Sequence, residues 1–115
     1  MISLIIPCFN EEESLPLFYP EVTSVLQEMN CDYELIFVND GSRDRTLEIL
    51  KELSEKDPHV IYLSFSRNFG KEAAMYAGFC NARGDYVAVM DADLQDPPAL
   101  LPEMLQKLEF GEYDT

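Results

Sequence analysis

The sequence has few cysteines and few basic residues, and both shortages exclude classes of protein. Cys8, Cys31 and Cys80 are odd in number and lie far apart without a CxxC pair, which argues against a disulfide framework or a zinc site and indicates reduced thiols in a cytoplasmic protein. Eight Lys and Arg against 22 Asp and Glu give a net charge of −14, which disfavours binding to nucleic acid or to an anionic membrane. Cations are the more natural partners.

Long apolar runs and the familiar phosphate-binding motifs are also missing. No run approaches the roughly 18–20 residues needed to cross a bilayer, and "MISLII" offers neither a basic region nor a cleavage site, so we expect this piece to be neither secreted nor membrane-spanning by itself. The sequence contains no GxGxxG after its first apolar run, no GxxxxGK[ST] loop and no GxSxG elbow. These absences disfavour a dinucleotide-binding Rossmann site, a P-loop and a hydrolytic triad.

What is present fits one α/β domain over residues 1–115, with 47% hydrophobic and 26% charged residues and no internal linker. Four short apolar runs alternate with polar loops and stretches of helical periodicity. The runs are "SLIIP" from Ser3, "YELIFV" from Tyr33, "VIYLSF" from Val60 and "YVAVM" from Tyr86. Such runs suit strands buried on both faces, and the alternation predicts a βαβαβαβα order with right-handed crossovers in a parallel sheet.

Apolar periodicity and capping residues predict four helices. The first covers about 14–29, with Pro16 in its first turn and Pro20 as a point of kinking or late start. The second runs from an Asp44 N-cap to about residue 55, and the third, rich in small residues, covers about 71–82. The fourth opens after an Asp96 N-cap and buries its apolar side chains, which are Leu101, Met104, Leu105 and Leu108.

Polar clusters follow each predicted strand: "PCFNEE" (7–12), "NDGSRD" (39–44), "SRNFGK" (66–71) and "DADLQD" (91–96). In open α/β sheets, ligands bind outside the carboxyl ends of the strands, so these loops are predicted to form one site. Arg67 and Lys71, two of the eight basic residues, lie at this edge, where a diphosphate would need them. Phe9 is either core or a stacking platform for a base, and His59 is expected at the surface of the opposite edge.

The last cluster has the pattern of a cation site. Asp91, Asp93 and Gln95 stand at alternate positions, so an extended segment would turn all three toward one side. They offer only oxygen ligands, which Mg²⁺ and Mn²⁺ prefer, and a metal would relieve the roughly 4 kcal/mol repulsion of two carboxylates about 4 Å apart at an effective dielectric near 20. The alternative is a solvated acidic turn in which Asp96 caps the next helix. Asp40 in "NDGS" likewise suits either a tight turn or a ligand to a base or ribose.

Taken together, "IIPCFNEEESLP", "FVNDGSRDRT", "SRNFGKEAAMYAGF" and "VMDADLQDPP" resemble the nucleotide-sugar-binding half of glycosyltransferase family 2. The sequence is most similar to the polyprenyl-phosphate glycosyltransferases, with dolichol-phosphate mannose synthases as close relatives, and "SRNFGKEAA" favours the bacterial undecaprenyl-phosphate glucosyltransferase-like branch. The resemblance covers nearly all 115 residues. It implies the Rossmann-like, parallel-sheet half of a GT-A fold, as the N-terminal portion of a longer catalytic domain.

The resemblance also implies roles for individual residues. Pro7, Phe9 and Glu11 match positions that line the nucleotide, and Val38 and Asp40 match those that hold its base and ribose. Phe9 stands where tyrosine is common, which removes a hydroxyl contact but not stacking. Asp91, Asp93 and Gln95 match the ligands of a metal that bridges to the diphosphate. The full set predicted to contact the donor nucleotide is Pro7, Phe9, Glu11, Val38, Asp40, Arg67, Lys71 and Ala92; no catalytic residue is predicted.

The activity implied is metal-dependent, inverting transfer of a sugar from a nucleoside diphosphate sugar, UDP-glucose or similar, to polyprenyl (undecaprenyl) phosphate, with Mg²⁺ or Mn²⁺ as cofactor. In the family, the acceptor-facing residues and the membrane-associated helices follow the region present here. We therefore expect the 115 residues alone to be catalytically incompetent and the full-length protein to lie at the cytoplasmic face of the inner membrane. A homo-oligomer stays an open alternative.

Two other functions compete with this prediction. A sugar-nucleotide pyrophosphorylase would need a Gly-rich, Arg-containing loop after the first strand, which "PCFNEE" lacks. A noncatalytic receiver-like signalling module would use Asp40 as phosphoacceptor. It would need an acidic pair at the end of the first strand, where Pro7 and Cys8 stand instead.

Overall fold

The computed structural model describes residues 1–30 and 32–92, in which strands and helices alternate from the beginning of the chain. The strands are Ile2–Cys8 (β1), Tyr33–Asn39 (β2), Val60–Ser64 (β3) and Tyr86–Val89 (β4). The helices are Leu15–Glu28 (α1), Thr46–Lys56 (α2) and Lys71–Asn81 (α3). The predicted βα alternation is confirmed this far; the predicted fourth helix lies outside the described residues.

All four strands are parallel and lie in the order β3-β2-β1-β4. The chain builds outward from β1 through β2 to β3 and then returns to the other side of β1 for β4. This reversal of direction opens a crevice between the carboxyl ends of β1 and β4, because the crossovers leading to the two sides diverge there. The fold therefore places its natural ligand-binding position beside the residues that follow these two strands.

The two central strands are buried on both faces, as their apolar runs predict. Leu35 and Phe37 of β2 pack on the face covered by α1 and α2, where the Phe18 ring meets that of Phe37 edge-on with centroids 6.4 Å apart. Ile36 and Val38 pack on the opposite face against α3. All seven residues of β2 are buried.

The outer strands of the described sheet are less buried than predicted. In β3 only Val60 is buried, and in β4 only Ala88 is. A run of β-branched and aromatic residues does not reveal whether its strand lies at the centre or at the side of a sheet, because both positions favour the same residue types.

The small residues of α3 let this helix lie close to the sheet, as predicted. Ala74 and Gly78 are its buried residues. A Cβ on Gly78 would lie 2.5 Å from Cγ2 of Ile5, so a larger residue fits only if the Ile5 side chain or the helix shifts. The glycine thus lets the second half of α3 pack directly on the middle of β1.

The N-terminal signals of the first two helices are only partly as predicted. Pro16 lies in the first turn of α1, and Pro20 lies inside a helix that continues past it. The prediction that Asp44 is the N-cap of α2 was wrong: the cap position is Arg45, and it makes no side-chain cap bond. The Asp44 carboxylate reaches over Arg45 and accepts hydrogen bonds from the Thr46 N–H (2.9 Å) and hydroxyl, which is the geometry of an Asx turn.

A buried carboxylate, that of Glu34, joins the first residues of the strands at the edge of the sheet opposite their carboxyl ends. Glu34 is 3% exposed and accepts hydrogen bonds from the Ser3 hydroxyl and from the Arg83 N–H, and the Gly84 N–H donates to the Ser3 hydroxyl oxygen at 2.7 Å. Burial acts to raise the pKa of Glu34, but the hydrogen bonds and the charge of Arg83 outweigh it and hold that pKa below its usual value. The network ties the turn before β4 to β1 and β2.

We expect Glu34→Gln to destabilise the protein by about 1.5–3 kcal/mol at pH 7, because it removes the buried charge that Arg83 faces and turns an NH₂ group toward the Arg83 Nε, which lies 3.5 Å from the second carboxylate oxygen. The folded-state pKa of Glu34 is lowered, so its stabilisation is fully present above the ordinary value of 4.5 and is lost as the pH falls through the lower folded-state value. Urea unfolding at a series of pH values should therefore show the difference between the two proteins shrinking in acid. Exposed Glu52→Gln is the control, and a difference for Glu34→Gln that is constant with pH would contradict the assignment.

Candidate functional site

The loops that follow the strands meet at one edge of the sheet, as predicted. The Asp40 N–H donates to Cys8 O at 2.8 Å, which joins the ends of β1 and β2, and the Met90 N–H donates to Ile5 O at 2.9 Å, which carries the chain beyond β4 alongside β1. The Phe65 N–H donates to Asn39 O at 2.9 Å and holds the loop after β3 against β2. Backbone hydrogen bonds thus set the starting points of all four loops.

A cavity of about 130 Å³ lies at the crevice between β1 and β4. It brings together six residues that the sequence predicted for the site, and Cys8 in addition. The lining residues are Pro7, Cys8, Phe9, Glu11, Asp40, Lys71 and Asp91. Three carboxylates and one ammonium group thus converge on a small space in a strongly acidic chain, which is the chemistry of a site for a cation together with an anion.

An ion pair crosses this cavity. Lys71, the first residue of α3, places its Nζ 2.9 Å from Oδ1 of Asp91, the second residue after β4. Both side chains keep part of their surface exposed, 59% for Lys71 and 30% for Asp91, so solvent and ligands reach the pair. The Lys71 ammonium is thus a positive charge next to the carboxylate of Asp91, which is one of the three oxygen ligands that the sequence predicted for a metal ion.

The other two predicted metal ligands, Asp93 and Gln95, lie outside the described residues. Within 1–30 and 32–92, no three His, Cys, Asp or Glu side chains come together as a metal site. Asp91 is therefore the one member of the predicted set whose position is known, and it has the donor chemistry that Mg²⁺ and Mn²⁺ prefer.

Asp40 is 4% exposed and holds the loop that follows β3. Its Oδ1 accepts a hydrogen bond from the Phe69 N–H at 2.8 Å, and its Oδ2 accepts from the Gly70 N–H at 3.0 Å and from Asn68 Nδ2 at 3.2 Å. Asn68 Nδ2 also lies 3.1 Å from the main-chain oxygen of Asp40. The sequence indicated that Asp40 is either a turn residue or a ligand, and its contact with the loop after β3 was not predicted. The only signal for that contact was the Asn and Gly in "SRNFGK".

The same two loops touch backbone to backbone at Gly41. This glycine has φ +70°, in the left-handed region, and a Cβ there would lie 2.3 Å from both Arg67 C and Asn68 N. Gly41 therefore serves both as a turn residue and as a point of close approach, and it lets the loop after β3 settle on the end of β2.

A second cavity, of about 430 Å³, adjoins the first and is lined by Phe9, Asn10, Gly41, Ser42, Arg43, Ser66, Arg67 and Asn68. Phe9 lines both cavities and is 45% exposed, so it is not a core residue and presents a ring for stacking. The Arg67 guanidinium lies 4.8 Å from the centroid of the Phe69 ring, a cation–π contact that keeps it at this wall. Arg43, which the sequence did not single out, adds a second guanidinium.

Two predicted donor residues do not line either cavity. The Val38 side chain is fully buried beneath α3, next to Ile36 and Ala74. Ala92 is 1% exposed and belongs to the core cluster that contains Met90. Any contact of Val38 or Ala92 with a ligand would therefore involve the backbone.

Cys8 forms the floor of the smaller cavity as a protonated thiol. Burial raises the pKa of Cys8 well above its usual range, and the nearby charge of Glu11 adds to the increase. The thiol lies 3.4 Å from Ile6 O, to which it donates. Cys8 is thus a packing residue and not a nucleophile.

A further cavity, of about 540 Å³, opens at the opposite edge, between the start of β2 and the start of β3. His59 is exposed there, as predicted; its ring stacks on that of Tyr33 with centroids 4.3 Å apart, and its Nδ1 lies 2.8 Å from Oδ1 of Asp57. None of the residues predicted for the site contributes to this cavity. In the described part of the chain, no helix has the length and apolarity required to cross a membrane.

A parallel sheet of order 3-2-1-4 with an ionic cavity at its crevice is the architecture of the nucleotide-sugar-binding half of a GT-A glycosyltransferase. The profile described as Glycosyl transferase family 2 matches residues 3–115, and the chain belongs to that family.

Two relatives and one solved structure illustrate the similarity. The chain is 46% identical over 110 residues to a "Prophage bactoprenol glucosyl transferase homolog" of Escherichia coli (strain K12), covering 96% of this chain and 36% of that protein. It is 41% identical over 115 residues to an "Undecaprenyl-phosphate 4-deoxy-4-formamido-L-arabinose transferase" of Photorhabdus laumondii, covering 99% of this chain and 35% of that protein. A mannosyltransferase from Pyrobaculum calidifontis, solved with GDP-Man and Mn²⁺, superimposes with a TM-score of 0.72 at 23% identity, covering 93% of this chain and 32% of that chain. This similarity confirms the fold. The chain spans about a third of the length of these curated relatives.

Proposed function

We propose that the full-length protein transfers a hexose from a nucleoside diphosphate sugar to polyprenyl phosphate, and that residues 1–115 form one domain that supplies the donor and metal site. The observation that carries the proposal is the cavity at the β1–β4 crevice, in which Lys71 and Asp91 meet beside the exposed ring of Phe9. The names of the two relatives, a bactoprenol glucosyl transferase homolog and an undecaprenyl-phosphate 4-deoxy-4-formamido-L-arabinose transferase, support the lipid acceptor, and the first of them favours glucose as the sugar, with UDP-glucose or a similar donor.

The donor nucleotide has a natural orientation in these two cavities. Phe9 offers its face to the base, and Pro7 and Glu11 line the same wall. Arg67 and Lys71 offer cationic groups to the two phosphates. Asp40 lines the cavity as well, and a carboxylate has about four acceptor positions, of which three are used by the loop after β3.

A divalent cation, Mg²⁺ or Mn²⁺, would be held by Asp91, Asp93 and Gln95 and would stabilise the negative charge of the leaving diphosphate. The Mn²⁺ present with GDP-Man in the Pyrobaculum calidifontis mannosyltransferase supports this assignment.

The side chains of this domain bind, orient and neutralise the donor. As the bond between the anomeric carbon and the diphosphate breaks, negative charge grows on the leaving oxygen, and the Lys71 ammonium already stands in the cavity where that charge appears. The acceptor is an anionic phosphate and needs little help from a base; the one histidine of the chain, His59, lies at the opposite edge. Attack on the face opposite the diphosphate inverts the anomeric centre.

The burial of Asp40 argues against the receiver-like alternative. A phosphoacceptor must expose its carboxylate to a phosphoryl donor, whereas Asp40 is 4% exposed and accepts three hydrogen bonds. We further propose that the full-length protein works at the cytoplasmic face of the membrane, with the acceptor bound by regions beyond these residues. Sugar transfer by the isolated 115 residues would contradict the proposal that regions beyond them bind the acceptor.

Calorimetry of the full-length protein with UDP-glucose, UDP-N-acetylglucosamine and GDP-mannose, each with and without Mn²⁺, tests the proposal. We expect one donor to bind, to need Mn²⁺, and to lose its binding in Asp93→Ala. Asp85→Ala is the matched control, because Asp85 is an exposed aspartate at the opposite edge, paired with the N-terminus of the chain. Absent binding, or binding that is indifferent to both Mn²⁺ and Asp93→Ala, would refute the proposed site.

A further inference from the structure

We propose that Asp40 is a positioning residue for the diphosphate end of the donor, because its carboxylate holds the loop that delivers Lys71 to the cavity. The inference rests on the proposed function and deepens it. It assigns to Asp40 an effect transmitted through Lys71, in addition to any contact that Asp40 itself makes with the nucleoside.

Asp40 binds three consecutive residues of the loop that follows β3. Asn68, Phe69 and Gly70 all donate to its carboxylate, at 3.2, 2.8 and 3.0 Å. Two of these donors are backbone N–H groups, which are fixed in the chain, so the carboxylate determines the path of the backbone and not merely of a side chain. Gly41, next to Asp40, receives the same loop at van der Waals contact.

This loop leads directly into α3, whose first residue is Lys71. Gly70 is the last residue before α3 and has φ +103°, a conformation open to glycine, and its carbonyl oxygen accepts the Ala74 N–H at 3.1 Å. The residue that Asp40 binds therefore also begins the hydrogen bonding of α3. Lys71 follows directly, and its Nζ lies 2.9 Å from Asp91. A shift of the loop would move the start of α3 and the ammonium with it.

The contact with the loop requires a carboxylate at position 40. All three partners are donors, and a carboxylate is an acceptor on both oxygens, whereas an asparagine has one oxygen and turns its NH₂ group toward donors. Asp40→Asn therefore keeps the size of the side chain and removes part of the contact with the loop. This makes it the informative variant.

The effect on two probes separates positioning from direct binding. We expect the affinity of the full-length protein for UDP, in Mn²⁺, to fall about 10–100-fold in Asp40→Asn, the range for groups that orient a ligand-binding residue. The affinity for uridine, which has no phosphate, should fall by a clearly smaller factor, because uridine loses only the direct contact that Asp40 makes with the nucleoside. Equal losses for UDP and uridine would overturn the proposal in favour of a purely direct contact with the nucleoside.

A double-mutant cycle with Lys71→Met tests the route of the effect. In the Lys71→Met background, adding Asp40→Asn should lower UDP affinity by a smaller factor than it does in the unaltered protein, whereas independent effects would multiply and overturn the proposal. Asp57→Asn is the matched control: Asp57 also braces a turn, accepting the Tyr19 hydroxyl and the His59 N–H, but at the opposite edge. It should leave binding of UDP unchanged.

Amide hydrogen exchange tests the loop contact without any ligand. We expect faster exchange of Phe69 and Gly70 in Asp40→Asn with unchanged exchange in β1 and β2, and a smaller increase in Asn68→Ala, which loosens the loop while keeping Asp40. Unchanged protection at Phe69 and Gly70 in both variants would overturn the proposal. If the unaltered protein binds no UDP, the proposed function fails instead, and the exchange result still decides the role of Asp40.

Discussion

Asp91→Ala is expected to lower sugar transfer by the full-length protein about 100–1,000-fold, the usual effect of removing one group that stabilises charge in the transition state. The change removes a carboxylate of the predicted metal site and the ion-pair partner of Lys71 at the same time. The diphosphate therefore loses the metal ligand and one of the contacts that hold the Lys71 ammonium in the cavity. Initial rates with saturating donor and Mn²⁺ measure the loss.

The affinity for Mn²⁺ distinguishes the two contributions of Asp91. We expect a titration followed by electron paramagnetic resonance to show weaker Mn²⁺ binding in Asp91→Ala, and Mn²⁺ binding at least as tight as in the unaltered protein in Lys71→Met, which removes a competing cation from Asp91. Glu72→Ala is the control, since Glu72 is an exposed acid in the first turn of α3 that lines neither described cavity at the crevice. Transfer by Asp91→Ala within about tenfold of the unaltered protein would show that this carboxylate is dispensable.

The sheet and the edge that carries the site could be predicted because both depend on local sequence patterns. A buried parallel strand is a continuous apolar run, and the polar residues that follow it must lie at the carboxyl edge wherever the strand is placed. For this reason the positions of Pro7, Phe9 and Lys71 in one cavity were predictable from "PCFNEE" and "SRNFGK". The strand order was not, because it depends on which crossover goes to which side of β1.

The contacts between loops could not be predicted, since they depend on distances that no single segment determines. Asp40 and Gly70 are 30 positions apart, and the hydrogen bond between them exists only because β2 and β3 are neighbours in register. Asp44 illustrates the same limit within one loop. Its carboxylate accepts a hydrogen bond from the first N–H of α2, as that of a capping residue would, but Asp44 lies one residue before the cap position, which is Arg45. Val38 was predicted from the resemblance to a family. A sequence pattern does not distinguish a residue that contacts a ligand through its backbone from one that contacts it through its side chain.

Gly41→Ala is expected to destabilise the protein by about 2–5 kcal/mol. The left-handed conformation at φ +70° costs an alanine about 1–2 kcal/mol, and overpacking adds about 1–3 kcal/mol because the new Cβ would lie 2.3 Å from backbone atoms of Arg67 and Asn68. Backbone atoms cannot rotate away as a side chain can, so the loop must move as a whole. Urea unfolding measures the stability, and UDP binding should weaken as the loop carries Arg67 and Lys71 away from the site.

Gly70→Ala separates the two costs of Gly41→Ala. Gly70 also has a positive φ, +103°, but a Cβ there would meet no atom within 4 Å, so only the backbone cost applies. With ψ 158°, Gly70 lies in a region that costs a non-glycine residue about 1–3 kcal/mol, so Gly70→Ala should destabilise by that backbone cost without any clash between the loops. Truncation of the Arg67 side chain should not rescue Gly41→Ala, because the conflict is with the Arg67 backbone. Rescue by Arg67→Ala, or a cost of Gly41→Ala no larger than the about 1–2 kcal/mol of the left-handed conformation, would mean that the loops do not meet at Gly41 in the way the structure shows.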